Sequence, residues 1–495
     1  MPTVLEIFKE ITKIQRCSGN HKAFIEYMKE ISKKLEYACL VDETNNILCK
    51  KENSKANIVF QSHYDIVCLN DFCIPQIVED DTTLKAIDST LGADNGIGCS
   101  YMIALMYENF DGEFLFTSDE EIGLIGANAL NLPINSKYML NLDSEEEGKI
   151  CIGCAGGVDI IAKNSNKKIV PNIENLDLYE ISISNLQGGH SGVDIDKNIP
   201  NAIKLIVKAI KECEGKLLDI NGGGVDIIAK NSNKKIVPNI ENLDLYEISI
   251  TNLQGGHSGV DIDKNIPNAI KLIVKAIKEC EGKLLDINGG ERINSIPANV
   301  KAIIASKKTP IKTHENMKIE RINTKSEHLN IYDDEIINFL YNFQNGVRDF
   351  NKELNVVQDS INLALIKTNI DEIVIEFSAR SMNNENLKEL KEKTKKDLIN
   401  NNFYVETYGK YPAWSPDIND FTSKVLDIYK TFNTNASLEA IHAGLECAIF
   451  KDKFPDLKIA SIGPTIKFPH SKKEFVYKKS VENVFEVVKK IANSI

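Results

Sequence analysis

No stretch of this chain is apolar for long enough to span a bilayer, and no secretory hydrophobic segment is visible, so a membrane-spanning or exported protein is not expected. A basic stripe and a long lysine block are missing too. With 59 Lys and Arg against 71 Asp and Glu, and a formal charge of −12, the surface lacks the electrostatic footprint of a nucleic-acid or anionic-membrane binder. Cysteines are scattered singly apart from Cys151 and Cys154, and no second pair stands at zinc-finger spacing. They read as structural thiols in a reducing cytoplasm. What is present is a chain of 495 residues, 42% of them hydrophobic, enough for a large core divided into at least two domains.

One internal feature stands out. The twenty letters "NLQGGHSGVDIDKNIPNAIK" occur twice, with Val158 and Val225 in the same register 67 positions apart, and the match runs from 156–222 to 223–289 with one change, Ser184 against Thr251. This is a tandem duplication; a solenoid would need about three or more shorter repeats. Each copy reads as strand, loop and helix. "LYEISI" alternates apolar and polar residues. "NIPNAIKLIVKAIKECEG" follows with Pro200 in the first turn, apolar residues at Ile203, Ile206, Val207 and Ile210, and a stop at Gly215.

Elsewhere short apolar runs end in polar groups. "NIVFQSHYD" delivers His63 and Asp65, "EFLFTSDEE" delivers Asp119, Glu120 and Glu121, "KYMLNLDSE" delivers Asp143, and "LKIASIGPTIKFPH" delivers His470. Read as strands, these runs place ligand-binding groups at carboxyl ends, where ligands collect in open α/β sheets. "LGADNGIGCSYMIALM" adds Asp94 in a glycine-containing turn before an apolar helix, where backbone can approach a ligand closely. Singly, each signal also fits a hydrogen-bonded pair or a solvated acidic face. Together, two imidazoles and three carboxylates suit two divalent ions about 3.5–4 Å apart with one carboxylate between them.

In order along the chain, "QSHYDIV", "STLGADNGIG", "FTSDEEIGLIGA", "NLDSEEEG", "GGHSGVDI", "NSIPA", "YPAWSPD", "IHAGLECAIF" and "IGPTIKFPHS" resemble aminoacyl-histidine dipeptidases. These Xaa-His dipeptidases are two-metal members of the aminoacylase and glutamate-carboxypeptidase group. The resemblance covers nearly the whole chain. It implies an α/β catalytic domain with a central, mostly parallel sheet flanked by helices, interrupted by an α+β lid domain, here holding the duplication. It also implies two divalent metals, zinc or, in some members, cobalt or manganese.

Position by position, the resemblance makes Asp94 the bridging ligand, with His63 and Asp143 on one metal and Glu121 and His470 on the other. Asp65 would accept the ring N–H of His63 and fix its tautomer. Glu120 would be the general base for attack by a metal-bridging hydroxide. A lid histidine, His190 or His257, would stabilise the oxyanion, a contribution on the order of 3 kcal/mol in other hydrolases. Asn294 and Arg380 would hold the substrate carboxylate, Arg380 through two parallel hydrogen bonds; a surface salt bridge is the lesser alternative for Arg380. His442 lines the site or simply packs in the core.

The sequence departs from that pattern in places. Ser62 and Tyr64 flank His63 where relatives usually show glycine and a smaller or apolar residue, and Lys472 and Lys473 follow His470 where a proline and an acid are typical. The polar stretch 307–332 matches nothing and reads as a loop or lid decoration. Domain limits are expected at 1–155 and 410–495 for the catalytic domain and 156–409 for the lid. Substrates would be short unblocked peptides, with β-alanyl-histidine or other Xaa-His dipeptides favoured; nucleic acid and membrane are not expected partners, and a homodimer through the lid is allowed for. The rival readings are a tripeptidase or N-acyl-amino-acid amidohydrolase of the same group, and a non-catalytic assembly protein with a disrupted lid. Of the two copies, His257 is favoured because its strand and helix run on into the Asn294 segment.

Overall fold

The computed structural model describes residues 1–69, 74–164, 167–171, 181–183, 205, 208, 221–223, 226–229, 243–322, 328–332, 334–369 and 372–495. An eight-stranded sheet forms from chain on both sides of a long central stretch: six strands lie between Ala38 and Cys154, and Ser437–Ile441 and Lys458–Ser461 complete it. Its middle is parallel. Ile58–His63 pairs in parallel with Glu113–Thr117 on one side and Tyr138–Asn141 on the other, and Tyr138–Asn141 pairs in parallel with Lys458–Ser461. Ile58–His63 and Glu113–Thr117 are buried along their whole length, as expected of apolar runs covered on both faces.

Helices supply that cover. Ala93–Tyr107 is apolar on almost every side and buried accordingly. Val4–Ile11 and Lys478–Ala492 are amphipathic and turn Ile7, Phe8, Val484 and Ile491 into the same core. On the other face, Glu446–Lys453 packs Cys447, Ile449 and Phe450 against Val59, Leu115 and Met139. The result is a mixed α/β unit with helices on both sides of one sheet.

A second, nine-stranded sheet is antiparallel. Its order is Met317–Ile322, Asp244–Ile250, Val300–Ser306, Lys283–Gly289, Val356–Thr368, Ile373–Ser381, Gly156–Asn164 and Tyr404–Tyr411, with Gly346–Asn351 also on Val356–Thr368. The helix Ala269–Glu279 lies against it. Asn268 caps this helix by accepting the Lys271 N–H, and Ile270, Ile273, Val274 and Ile277 are buried on its inner face. The proline of this copy, Pro267, stands just before the cap rather than inside the first turn, and the alternating "LYEISI" is a strand as expected.

The register shows how the duplication is used. Of the repeated segments, the second sheet takes Gly156–Asn164 from the first copy and Asp244–Ile250 and Lys283–Gly289 from the second. The matching remainders, Ile181–Ile183 and Asp226–Ala229, pair with each other in a separate small sheet with Asn221–Gly223. His190 and most of the first copy's helix lie outside the described residues.

Two expectations are corrected here. The stretch 307–332 is more than a decoration: Met317–Ile322 pairs along Asp244–Ile250, and His328–Tyr332 pairs with Lys167–Pro171. Backbone pairing at a sheet edge needs no strong apolar pattern, so a polar sequence concealed it. The cysteines are not all single thiols, because Cys17 and Cys68, 51 positions apart, form a disulfide. Cys151 and Cys154 are free and buried, which suits packing.

Candidate active site

The functional side chains converge at the carboxyl ends of the parallel strands. His63 is the last residue of its strand and Asp143 follows another by two. Asp94 sits in the first turn of the Ala93–Tyr107 helix, after Gly92, whose φ of 70 places it in the left-handed region glycine adopts freely. His63 Nε2 is 3.1 Å from Asp94 Oδ1 and 3.2 Å from Asp143 Oδ1. His470 Nε2 is 3.0 Å from the other Asp94 oxygen and 2.9 Å from Glu121 Oε2. Each oxygen of Asp94 thus faces one histidine, and Asp94 belongs to both ligand clusters, one with His63 and Asp143 and one with Glu121 and His470. Glu120 and Glu121 form a third cluster with His63.

Electrostatics bear on whether cations fit. Burial works against a charged His63 ring, but Asp143, Asp65 and Asp94 push its pKa well above the usual range. Burial likewise opposes charge on His470, while Asp94 and Glu121 push it to about 12. Burial alone would raise Asp94, yet the hydrogen bonds from His470 and His63 hold it well below the normal carboxylate range. Glu121 Oε1 is buried with no protein hydrogen-bond partner. Buried carboxylates that draw protons onto neighbouring imidazoles, plus an unpartnered buried oxygen, form a donor set that divalent cations fit. Burial also raises Glu120 well above the usual range, with Glu121, Asp143 and Glu446 adding to it and His63 opposing.

Around the ligands lies a supporting shell. His63 Nδ1 is 3.1 Å from the main-chain oxygen of Asp65 and 3.6 Å from its carboxylate. The ring proton is therefore directed at the backbone carbonyl. The Asp65 carboxylate instead accepts Ser18 Oγ–H (2.8 Å) and the N–H groups of Glu120 (3.0 Å) and Glu121 (3.3 Å), fixing the turn that carries both glutamates. Asp119, at φ 50, accepts the Gly19 N–H and pairs with His21. Ser62 bonds the main-chain oxygen of Asn95 and Tyr64 stacks on Phe24, so both departures beside His63 are absorbed by packing. Lys472 points towards Asp88 at 4.0 Å.

Several contributors carried no sequence signal. Glu474 accepts N–H groups from Leu91, Gly92, Ala93 and Asp94, at 2.7, 3.1, 2.9 and 3.4 Å. It ties the His470 loop to the turn bearing Asp94 across 380 to 383 residues, which no local pattern can announce. Asn95 Nδ2 donates to Asp143 Oδ1. Glu446 accepts Gln61 (2.6 Å) and Thr117 (2.7 Å) beneath the site, and burial raises its pKa to about 8.

A short two-stranded ribbon, Gly256–His257 paired with Ser295–Ile296, contributes another polar group. His257 Nδ1 accepts the N–H groups of Val260 (3.1 Å) and Gly259 (3.3 Å), so the ring proton resides on Nε2. Burial, and then Arg380, depress its pKa to about 4, which keeps it a neutral donor at ordinary pH. His442 is buried, with Nε2 2.7 Å from Ser360 Oγ, and burial with Arg380 lowers its pKa to about 3. Arg380 is buried and its Nε has no protein partner. Asn294 is exposed; its main-chain oxygen accepts the Ser258 N–H at 2.8 Å.

No family model matches the chain. It is similar over its full length to the cytosol non-specific dipeptidase of Escherichia coli, at 28% identity over 99% of this chain and 97% of that one. The crystal structure of aminoacylhistidine dipeptidase from Vibrio alginolyticus shares its fold with a TM-score of 0.71, at 24% identity over 99% and 96% of the two chains. An M20 family metallo-carboxypeptidase from Sulfolobus solfataricus follows at 0.50, with 13% identity over 99% of each. The chain shares the fold of these peptidases, and its clusters of histidines and carboxylates could hold metal ions. Over its full length the chain resembles these dipeptidases. Among the described residues no helix is long and apolar enough to cross a membrane.

Proposed function

We propose that the protein is a metal-dependent dipeptidase acting on short unblocked peptides, Xaa-His dipeptides first among them. The observation that carries this reading is Asp94, with one oxygen 3.1 Å from His63 and the other 3.0 Å from His470. A carboxylate so shared suits two dications, held by His63, Asp143 and Asp94 on one side and Glu121, His470 and Asp94 on the other. Such ions, when bound, polarise a carbonyl and make water acidic near neutral pH; zinc suits the mixed imidazole and carboxylate donors.

The chain's own groups supply the remainder. Glu120 takes the proton of the attacking water and passes it to the leaving amine. His257, neutral and protonated on Nε2, donates a hydrogen bond to the carbonyl oxygen as negative charge develops there. Arg380 grips the free carboxylate of the substrate with His442 beside it, and Asn294 lies on the loop next to His257. A dipeptide that presents a carboxylate to Arg380 has its peptide carbonyl about one residue away.

The test is hydrolysis of β-alanyl-histidine and a panel of dipeptides, tripeptides and N-acyl amino acids, before and after chelation and with zinc restored. Glu120→Gln should lower kcat by at least a hundredfold while still binding zinc. Activity that ignored chelation and survived this substitution would defeat the reading; cleavage of only tripeptides or only blocked substrates would move it to a neighbouring activity. His257→Ala is expected to cripple turnover and His190→Ala to leave it near wild type. Equal, severe losses from both would refute a single working histidine.

A further inference from the structure

Four residues stand side by side across four adjacent strands of the second sheet. Ser360 is registered opposite Arg380, Arg380 opposite Gly157, and Gly157 opposite Tyr411. Directly opposed residues share a sheet face, so all four look the same way. Arg380 and Tyr411 lie two strands apart, a separation of about 10 Å between backbones. Even so, Arg380 Nη1 donates to Tyr411 Oη at 2.8 Å. The contact passes over Gly157.

The glycine is what makes this reach possible. A Cβ at Gly157 would lie 2.5 Å from both Cζ and Oη of Tyr411, a distance no side chain tolerates. The other side of the ring is bounded by Gly444, where a Cβ would come within 2.8 Å of Cε2. Gly157 belongs to "CAGG", Tyr411 to "YPAW" and Gly444 to "HAGLE", three motifs far apart in the chain that meet as one slot with one ring in it. Gly444 is also two residues from His442, whose ring meets Ser360 at the other end of the row.

We propose that Tyr411 is a positioning residue that sets the angle of the Arg380 guanidinium for the substrate's carboxylate, through the gap left by Gly157. Arg380 has a long side chain that must be fixed before it can offer two parallel donors to a carboxylate. Tyr411 occupies Nη1 from the side and holds the plane of the fork. Burial keeps the phenol protonated, so it accepts from Arg380 as a neutral group and leaves the positive charge for the ligand.

The inference rests on the proposed role of Arg380, and the experiment separates the two. Steady-state kinetics are measured on a dipeptide and on the same dipeptide as its C-terminal amide, for the wild type, Tyr411→Phe, Gly157→Ala and Arg380→Ala, with circular dichroism on each. Phenylalanine keeps the ring in its slot and removes only the oxygen. The expected result is a KM for the free acid raised roughly tenfold with kcat within about twofold, and no matching change for the amide, so that preference for acid over amide shrinks. Gly157→Ala should show the same split by displacing the ring. If Arg380→Ala leaves the preference for the acid intact, the carboxylate reading fails and this inference with it. If Arg380→Ala erases the preference but folded Tyr411→Phe keeps the wild-type KM, Tyr411 is structural only and the inference alone falls.

Discussion

At Asp94 a single carboxylate faces two histidines from opposite ends of the sequence, and its geometry depends on a residue that touches neither. Glu474 gathers four consecutive N–H groups of the turn that presents Asp94, and these groups need a buried negative partner. Glu474→Gln keeps the shape but turns an amide NH2 towards backbone donors. Zinc affinity of the stripped protein, measured by titration calorimetry, should fall at least tenfold with the far-ultraviolet spectrum unchanged; undiminished affinity would show that the turn holds itself. The clustered histidines and carboxylates are legible in the sequence because each lies next to a strand or a glycine turn that announces itself locally. Glu474, Tyr411 and the pairing of Cys17 with Cys68 were not, since each acts through a contact formed only after distant segments meet. The hydrogen bond from the His63 ring to the Asp65 main-chain oxygen depends on about half an ångström of geometry that no spacing encodes.

At the scale of elements, the buried parallel strands follow from uninterrupted apolar runs, and the Ala269–Glu279 helix follows from its period. Its inner face is fully enclosed at Ile273 and Ile277, between the second sheet and the Asp334–Asn342 helix. Ile273→Ala should cost about 2–5 kcal/mol of stability, readable as a lowered urea midpoint at unchanged slope. A substitution of similar size on the exposed side, Lys275→Ala, should cost far less. The edge strand Met317–Ile322 shows the limit of pattern reading: its register along Asp244–Ile250 is carried by backbone pairing, and only Met317 is buried. Propensity alone therefore reads it as a loop.

For the whole molecule, the second sheet needs one copy of the repeat and has two. It takes the opening strand from the first and the remainder from the second, so one period is surplus to it. Removing 165–231 joins Asn164 to Ser232, which restores the sequence that already follows Asn164. The shortened protein is expected to fold, to bind zinc and to keep at least half of the wild-type kcat/KM, checked on purified protein beside the full chain. Loss of folding would mean that the additional period is structural.

The same composite sheet leaves a mark on time as well as on form. While the chain folds, two interchangeable segments compete for each seat in the sheet from 156 to 289, and the backbone register scarcely distinguishes Ser184 from Thr251. A docking by the wrong copy is nearly as favourable locally as the right one, and must be undone before the distant halves of the first sheet can close. Refolding of the full chain should therefore be slower and less uniform than that of the single-copy form: repetition gives this protein a kinetic ambiguity that its finished architecture conceals.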